Sequence, residues 1–208
     1  IKPLVCIGCF CMLLIGCSTT NSSNDSSSDS DSTGSGAIIT FADDNLLEAV
    51  RVAIDKPEGT IYESDVEEVV TLDIQEYEIA DISGLEYFVS LKSLNLDDNV
   101  VSDLSPLEDL TTLEELNVFD NEVTDITPLA GLTNLTFLNL WDNDISEISS
   151  LELLTALTYI DLDGNDVIDL TPLTNLVNLT ELYLSENSIS NVTPLASLVN
   201  LTRLFFWG

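Results

Sequence analysis

From residue 69 onward the apolar positions of the chain recur with a single period. Leucines stand at Leu91, Leu113, Leu135, Leu157, Leu179 and Leu201, 22 residues apart throughout. Three residues after each come Leu94, Leu116, Leu138, Ile160, Leu182 and Leu204, and two further on Leu96, Val118, Leu140, Leu162, Leu184 and Phe206. Asn99, Asn121, Asn143, Asn165 and Asn187 hold the next shared position. Apolar residues then step by three, as in Ile145, Ile148, Leu151 and Leu154. The L-x-L portion alternates in and out as a strand does. The later step suits a 3₁₀-like or irregular turn, whose side chains eclipse every third residue. Pro106, Pro128, Pro172 and Pro194 fall on this return path, where a φ of about −65° suits a turn and no ladder amide is lost. The repeated Asn is a polar residue in an apolar frame. It is expected to be buried and to bond neighbouring backbone, forming a structural ladder from coil to coil.

The pattern LxxLxLxxNxIxxIxxLxxLxx resembles the bacterial leucine-rich repeats of the 22-residue, internalin-like kind. It covers five full repeats, a sixth broken off at Gly208, and an atypical first repeat from Val69 in which Tyr77 replaces the Asn. No preceding coil exists there to receive an Asn side chain. The resemblance implies an α/β repeat solenoid, a right-handed leucine-rich-repeat horseshoe with a parallel β-sheet on its concave face and a small helical N-terminal cap. Residues 37–68 leave the period and fit that cap. Leu46, Leu47, Val50 and Ile54 predict an amphipathic helix over Asn45–Asp55 with Glu48 in its first turn. Ser64-x-x-Glu67 predicts a capping box opening a second short helix, and Pro57 and Gly59 mark the turn between the two. A bare first coil would expose both core and strand edge, so a cap is physically required. The absence of a comparable cap after Phe206 leads us to expect a longer protein, as does a first residue that is Ile rather than Met.

The N-terminal stretch has a different logic. Lys2 precedes an apolar run over residues 4–16 that is too short to span a bilayer as a mature helix. Its end, Leu14-Ile15-Gly16-Cys17, resembles the bacterial lipoprotein signal-peptide motif. That resemblance makes residues 1–16 a signal peptide and Cys17 the lipidated first residue of the mature protein. Residues 18–36 contain only Ser, Thr, Asn, Asp and Gly. They predict a disordered tether over 17–36, with a reach of about 24 Å for a flexible coil of that length. Such a protein is lipid-anchored at the bacterial cell surface. In a Gram-negative cell it sits on the outer membrane, because Ser18 after Cys17 resembles an outer-membrane lipoprotein signal; in a Gram-positive cell it sits on the outer face of the cytoplasmic membrane. Cys6, Cys9 and Cys11 also lie in the signal segment, and Cys6-Ile7-Gly8-Cys9 has no second Cys pair or His to complete a metal site.

Charge narrows the chemistry further. The chain carries 37 acidic and 5 basic residues, a formal net charge of −32, and no His. A His-based general base, a Ser-His-Asp triad and a His-ligated zinc site are thereby excluded. The field repels phosphate backbones and anionic headgroups, so no nucleic-acid partner is expected, and the membrane is reached through the lipid alone. No metal or cofactor is expected either. Asp161-x-Asp163-x-Asn165 has the ligand spacing of an EF-hand loop, but Pro172 stands where its bidentate Glu belongs. Asn134-Leu-Thr136 matches a glycosylation sequon and is here repeat consensus. Neither a phosphate-binding Gly loop nor a nucleophile elbow occurs, so the chain is read as non-catalytic.

What remains is binding. In a right-handed coil the strands line the concave face, and the residues before, between and after each L-x-L pair point outward. Of eight aromatic residues from Leu91 onward, seven occupy these 18 positions: Phe119, Phe137, Trp141, Tyr159, Tyr183, Phe205 and Trp207. Rings concentrated in this way resemble binding hot spots, with Asn117, Asn139 and Asp161 among them as polar contacts. The competing explanation is that strand surfaces favour aromatics, which then stabilise the ladder. Asp98, Asp120, Asp142 and Glu186 share one repeat position that Gly164 interrupts. This column is read as a solvated surface, a basic partner or divalent cations being the functional alternative. Similarity to internalins implies a protein ligand, on a host or neighbouring cell. The alternatives are a glycan stacked on the rings, and a docking role beside a catalytic domain beyond residue 208.

Overall fold

The computed structural model describes residues 34–207. The signal-like segment, Cys17 and the tether up to Thr33 lie outside the described residues. Two short α-helices come first, α1 (Asp44–Ala53) and α2 (Glu63–Val66), followed by strands β1 (Thr71–Asp73), β2 (Ser93–Asn95), β3 (Glu115–Asn117), β4 (Phe137–Asn139), β5 (Tyr159–Asp161), β6 (Glu181–Tyr183) and β7 (Arg203–Phe205). They form one parallel seven-stranded sheet in the order β1 to β7. Its register places Leu72, Leu94, Leu116, Leu138, Ile160, Leu182 and Leu204 in line, so each residue pairs with the one 22 positions on. The sequence period is the sheet register.

Between strands the chain returns through 3₁₀ turns at Leu85–Tyr87, Ser105–Leu107, Thr127–Gly131, Ser149–Leu153, Thr171–Asn175 and Thr193–Ser197. Among the described residues, α-helix is confined to the cap. Proline stands in the first positions of four of these turns. Asp103, Asp125, Asp169 and Asn191 accept the amides of Ser105, Thr127, Thr171 and Thr193 just ahead of them, fixing the entry to each turn. The apolar frame fills a continuous core from Ile39 to Leu198.

Each coil is joined to the one before by its Asn. Asn99, Asn121, Asn143, Asn165 and Asn187 donate from Nδ2 to the carbonyls of Ile74, Leu96, Val118, Leu140 and Leu162 at 2.7–3.0 Å. Their Oδ1 atoms accept the amides of Ile79, Val101, Val123, Ile145 and Val167 at 2.9–3.0 Å. The expected ladder is present. Asn99, Asn143 and Asn165 are buried, whereas Asn121 and Asn187 keep partial access to solvent.

The cap departs from the sequence expectation in detail. Helix α1 starts one residue earlier than predicted and is capped by Asp43, whose Oδ1 accepts the amides of Asn45 and Leu46 at 2.8 and 3.1 Å. Its Oδ2 accepts Ala80 and Asp81 from the first coil at 2.8 and 3.2 Å. One carboxylate thus fastens the cap to the solenoid. Helix α2 opens at Glu63, and Asp65, in place of Glu67, returns to the Tyr62 amide at 2.7 Å. Ser64 instead accepts the Ser35 amide at 2.8 Å. Ser35, within the segment expected as a tether, and Ala37 both accept amides from the start of α2.

Candidate functional site

The three-residue strands set the geometry of the sheet's outer face. Their middle residues point into the core and the flanking ones point out, which stacks outward side chains in columns one strand spacing apart, about 4.8 Å. The first column runs Ser93, Glu115, Phe137, Tyr159, Glu181, Arg203, and the next Asn95, Asn117, Asn139, Asp161, Tyr183, Phe205. Two residues on lies a third column of Asp97, Phe119, Trp141, Asp163, Ser185 and Trp207.

The rings meet as two groups. Phe119 and Trp141 lie with centroids 4.5 Å apart and planes tilted by 32°. Phe137 stacks on Tyr159 at 4.4 Å, Tyr159 meets Tyr183 at 5.4 Å across two columns, and Tyr183 stacks on Phe205 at 4.9 Å. Four rings thereby form an oblique stripe over β4 to β7. Phe119, Phe137, Tyr159 and Tyr183 are half-buried against their neighbours, so part of the aromatic area stabilises the ladder itself. Trp141 keeps 45% of its surface exposed, and Phe205 and Trp207 are exposed as well.

The polar members of the face are more committed than their sequence positions imply. Asn117 and Asn139 accept the amides of Phe119 and Trp141 through Oδ1 at 3.2 and 3.1 Å, and Asn117 donates to Asn95 at 2.9 Å. Asp161, expected as a contact for a partner, is instead buried, with 6% of its surface exposed. It accepts the Tyr159 hydroxyl at 3.2 Å and the Asp163 amide at 3.0 Å. The rings beside it cover the position, which removes it from the accessible face. Burial first, and then the neighbouring Asp163, push its carboxyl above the usual carboxylate range, against the hydrogen bonds it accepts. Burial and the Asp161 charge likewise raise the Tyr159 phenol.

Sequence reading missed the polar support of the stripe. Glu181 accepts the Tyr183 hydroxyl at 3.2 Å and pairs with Arg203 at 3.0 Å. The signal available was opposite charge at equivalent positions of adjacent repeats. The acidic column also has a backbone cause. Asp98, Asp120, Asp142 and Glu186 all have φ between 49° and 54°, and Gly164, which interrupts them, has φ 63°. The position is left-handed in all five of these coils, a conformation in which Gly, Asn and Asp are enriched.

Among the described residues no group of three or more Cys, Asp or Glu side chains is placed to hold a metal ion. No helix among them is long and apolar enough to cross a membrane. The chain matches the family model described as leucine-rich repeats in two copies over residues 89–131, 111–149 and 133–175, and the single leucine-rich-repeat model over 178–202. No curated protein matches it by sequence. Among solved structures it is 32% identical to internalin C2 of Listeria monocytogenes, with a TM-score of 0.59, over 84% of this chain and 100% of that one. It is also 32% identical to an internalin (inlF) of the same organism, with a TM-score of 0.68, over 80% of this chain. That match spans 56% of the relative's length. The fold is shared with a plant peptide hormone receptor (RGFR1) in complex with RGF2, at 21% identity and a TM-score of 0.61, over 70% of this chain and 25% of that one.

Proposed function

Because the chain belongs to the internalin-like leucine-rich-repeat family, we propose that it is a non-catalytic protein-binding module whose partner docks on the concave face of the sheet. The observation that carries this reading is the gathering of Phe119, Phe137, Trp141, Tyr159, Tyr183, Phe205 and Trp207 on one side of consecutive strands, with Trp141 left open. An aromatic ring buries a large area on contact with little conformational entropy to lose, which suits a binding hot spot. The same residues on strands facing a core would be structural; here they lie on the outer face, with Trp141, Phe205 and Trp207 exposed.

The partner is a protein of a host or neighbouring cell, and the module is held at the bacterial surface by a lipid on Cys17. Labelled cell-surface proteins captured on the immobilised chain test the face. Phe119→Ala with Trp141→Ala is expected to abolish capture while the circular dichroism spectrum and melting temperature stay within a few degrees of the parent. Unchanged capture overturns the assignment of the face. Neutral glycans bound on an array, with no protein captured, would transfer the site to sugars. The anchor has its own check. Cys17→Ser is expected to release the protein from the membrane fraction and to abolish labelling with a fatty-acid analogue.

A further inference from the structure

The proposed binding face carries a chemical preference that its aromatic composition alone does not define. In the third column Phe119 and Trp141 stand between Asp97 and Asp163, and each ring is followed in sequence by a further carboxylate, Asp120 and Asp142. Asp98 closes the same corner. An exposed indole face among carboxylates, with no cation on it, is an electrostatically incomplete arrangement, since the ring quadrupole and the acids attract positive charge together.

None of the described residues places a cation there. Among the described residues every Lys and Arg side chain is engaged elsewhere. Arg51 bonds the carbonyls of Lys56 and Gly59, and Lys56 pairs with Asp65 at 2.7 Å beneath the Tyr62 ring. Lys92 pairs with Glu114 at 2.6 Å and Arg203 with Glu181 at 3.0 Å. In the corner itself, Asp97 Oδ1 is buried and has no hydrogen-bond partner. Burial, followed by the charges of Asp98, Glu76 and Asp120, holds the Asp97 carboxyl above its ordinary range. A positive group supplied from outside offsets the repulsion among these carboxylates.

We propose that the occupant of this face is a basic protein segment, one arginine or lysine side chain of which stacks on the Phe119–Trp141 pair among the surrounding carboxylates. The proposal rests on the reading that the concave face binds protein, and names the chemistry of the partner. An extended polypeptide fits better than a point ion. The acids are spaced along the coil axis at strand intervals, and among the described residues they do not converge on a metal site. A net charge of −32 adds long-range steering of a basic partner and disfavours an acidic one.

Random peptides displayed on phage and selected on the immobilised protein provide the test, with three variants compared. Asp98→Asn/Asp120→Asn/Asp142→Asn keeps residues that tolerate the left-handed backbone. Trp141→Ala removes the ring. Glu108→Gln/Glu147→Gln/Glu152→Gln makes the same change of net charge on exposed positions away from the sheet face. The native protein is expected to select peptides enriched in Arg and Lys. Their affinity should fall by about tenfold in each of the first two variants and stay unchanged in the third. Equal loss in the third variant overturns the local site in favour of diffuse attraction. Peptides selected without cationic enrichment, yet lost in Trp141→Ala, overturn this inference and leave the protein-binding reading standing. A native protein that selects no peptide overturns both.

Discussion

The side-chain oxygen of Asn143 accepts the backbone amide of Val123, one coil away and 20 positions earlier, at 2.9 Å. Through Nδ2 the same residue donates to the carbonyl of Val118 at 2.9 Å, so a single amide satisfies two backbone groups of the previous coil. Neither group is open to water. Asn143→Ala should therefore destabilise the protein by about 2–4 kcal/mol, the penalty for leaving buried donors and acceptors without partners. Asn121→Ala should lose less, because partial solvent access lets water replace the amide. Urea denaturation of the two variants tests the contrast; equal losses would show that burial does not govern the ladder.

The fourth 3₁₀ turn is the least reinforced. Ser150 occupies the position that Pro106, Pro128, Pro172 and Pro194 hold elsewhere, and its hydroxyl is buried without a partner. Ser150→Pro is expected to stabilise the protein by about 0.4–1 kcal/mol through the unfolded chain, with a further gain from deleting the orphan hydroxyl. A melting temperature lower than the parent's would refute this.

Left-handed backbone predicts opposite outcomes at two equivalent positions. At Gly164, φ is 63° and the nearest side-chain atom to an added Cβ is Trp141 Cδ1 at 3.5 Å, an ordinary contact. Gly164→Ala should thus be destabilising by about 1 kcal/mol for conformational reasons alone. Glu186 has φ 54° with a side chain that gains nothing there, and Glu186→Gly should stabilise by a similar amount. Thermal melts of both variants decide the matter.

Asp161 ties stability to pH. Its carboxyl titrates above the ordinary range in the folded protein, chiefly because it is buried. The folded state then binds its proton more tightly than the unfolded state, so this contribution falls as pH rises from about 4 through the folded value. Asp161→Asn restores the residue found at Asn95, Asn117 and Asn139, and should raise stability at pH 7 and remove that decline. A variant less stable than the parent at pH 7 would mean that the charge is wanted where it is.

Asp43 acts in the other direction. Burial alone would raise its carboxyl, but the amides of Ala80, Asp81, Leu46 and Asn45 together hold it below the usual range. Its contribution is present above the unfolded value of about 3.9 and is lost as pH falls through the folded one. Asp43→Ala should weaken the cap by about 1–2 kcal/mol, in the range of lost N-caps, and hydrogen exchange should quicken in α1 before the repeats. Uniform quickening along the chain would refute a local role.

The repeats, their parallel sheet and the asparagine ladder were all legible in the amino-acid order. The reason is that a solenoid is nearly one-dimensional: each coil packs only on its neighbours, so a spacing in sequence becomes a register in space. The concentration of aromatic residues at outward positions followed from the same arithmetic. Tertiary structure alone decided which rings touch. Phe137 on Tyr159 follows the column, but Tyr159 on Tyr183 crosses between columns, and Asp161 is buried beside them. Those outcomes depend on rotamers and ring tilt, which a period in the backbone does not determine. The cap's helices were predicted, but its capping contacts escaped for a related reason. Asp43 meets Ala80 across 37 residues with no repeat between them, and Asp65 in place of Glu67 caps the start of α2. Contacts made once, between segments that share no period, leave no recurring trace in the sequence and are settled only when the cap packs on the first coil.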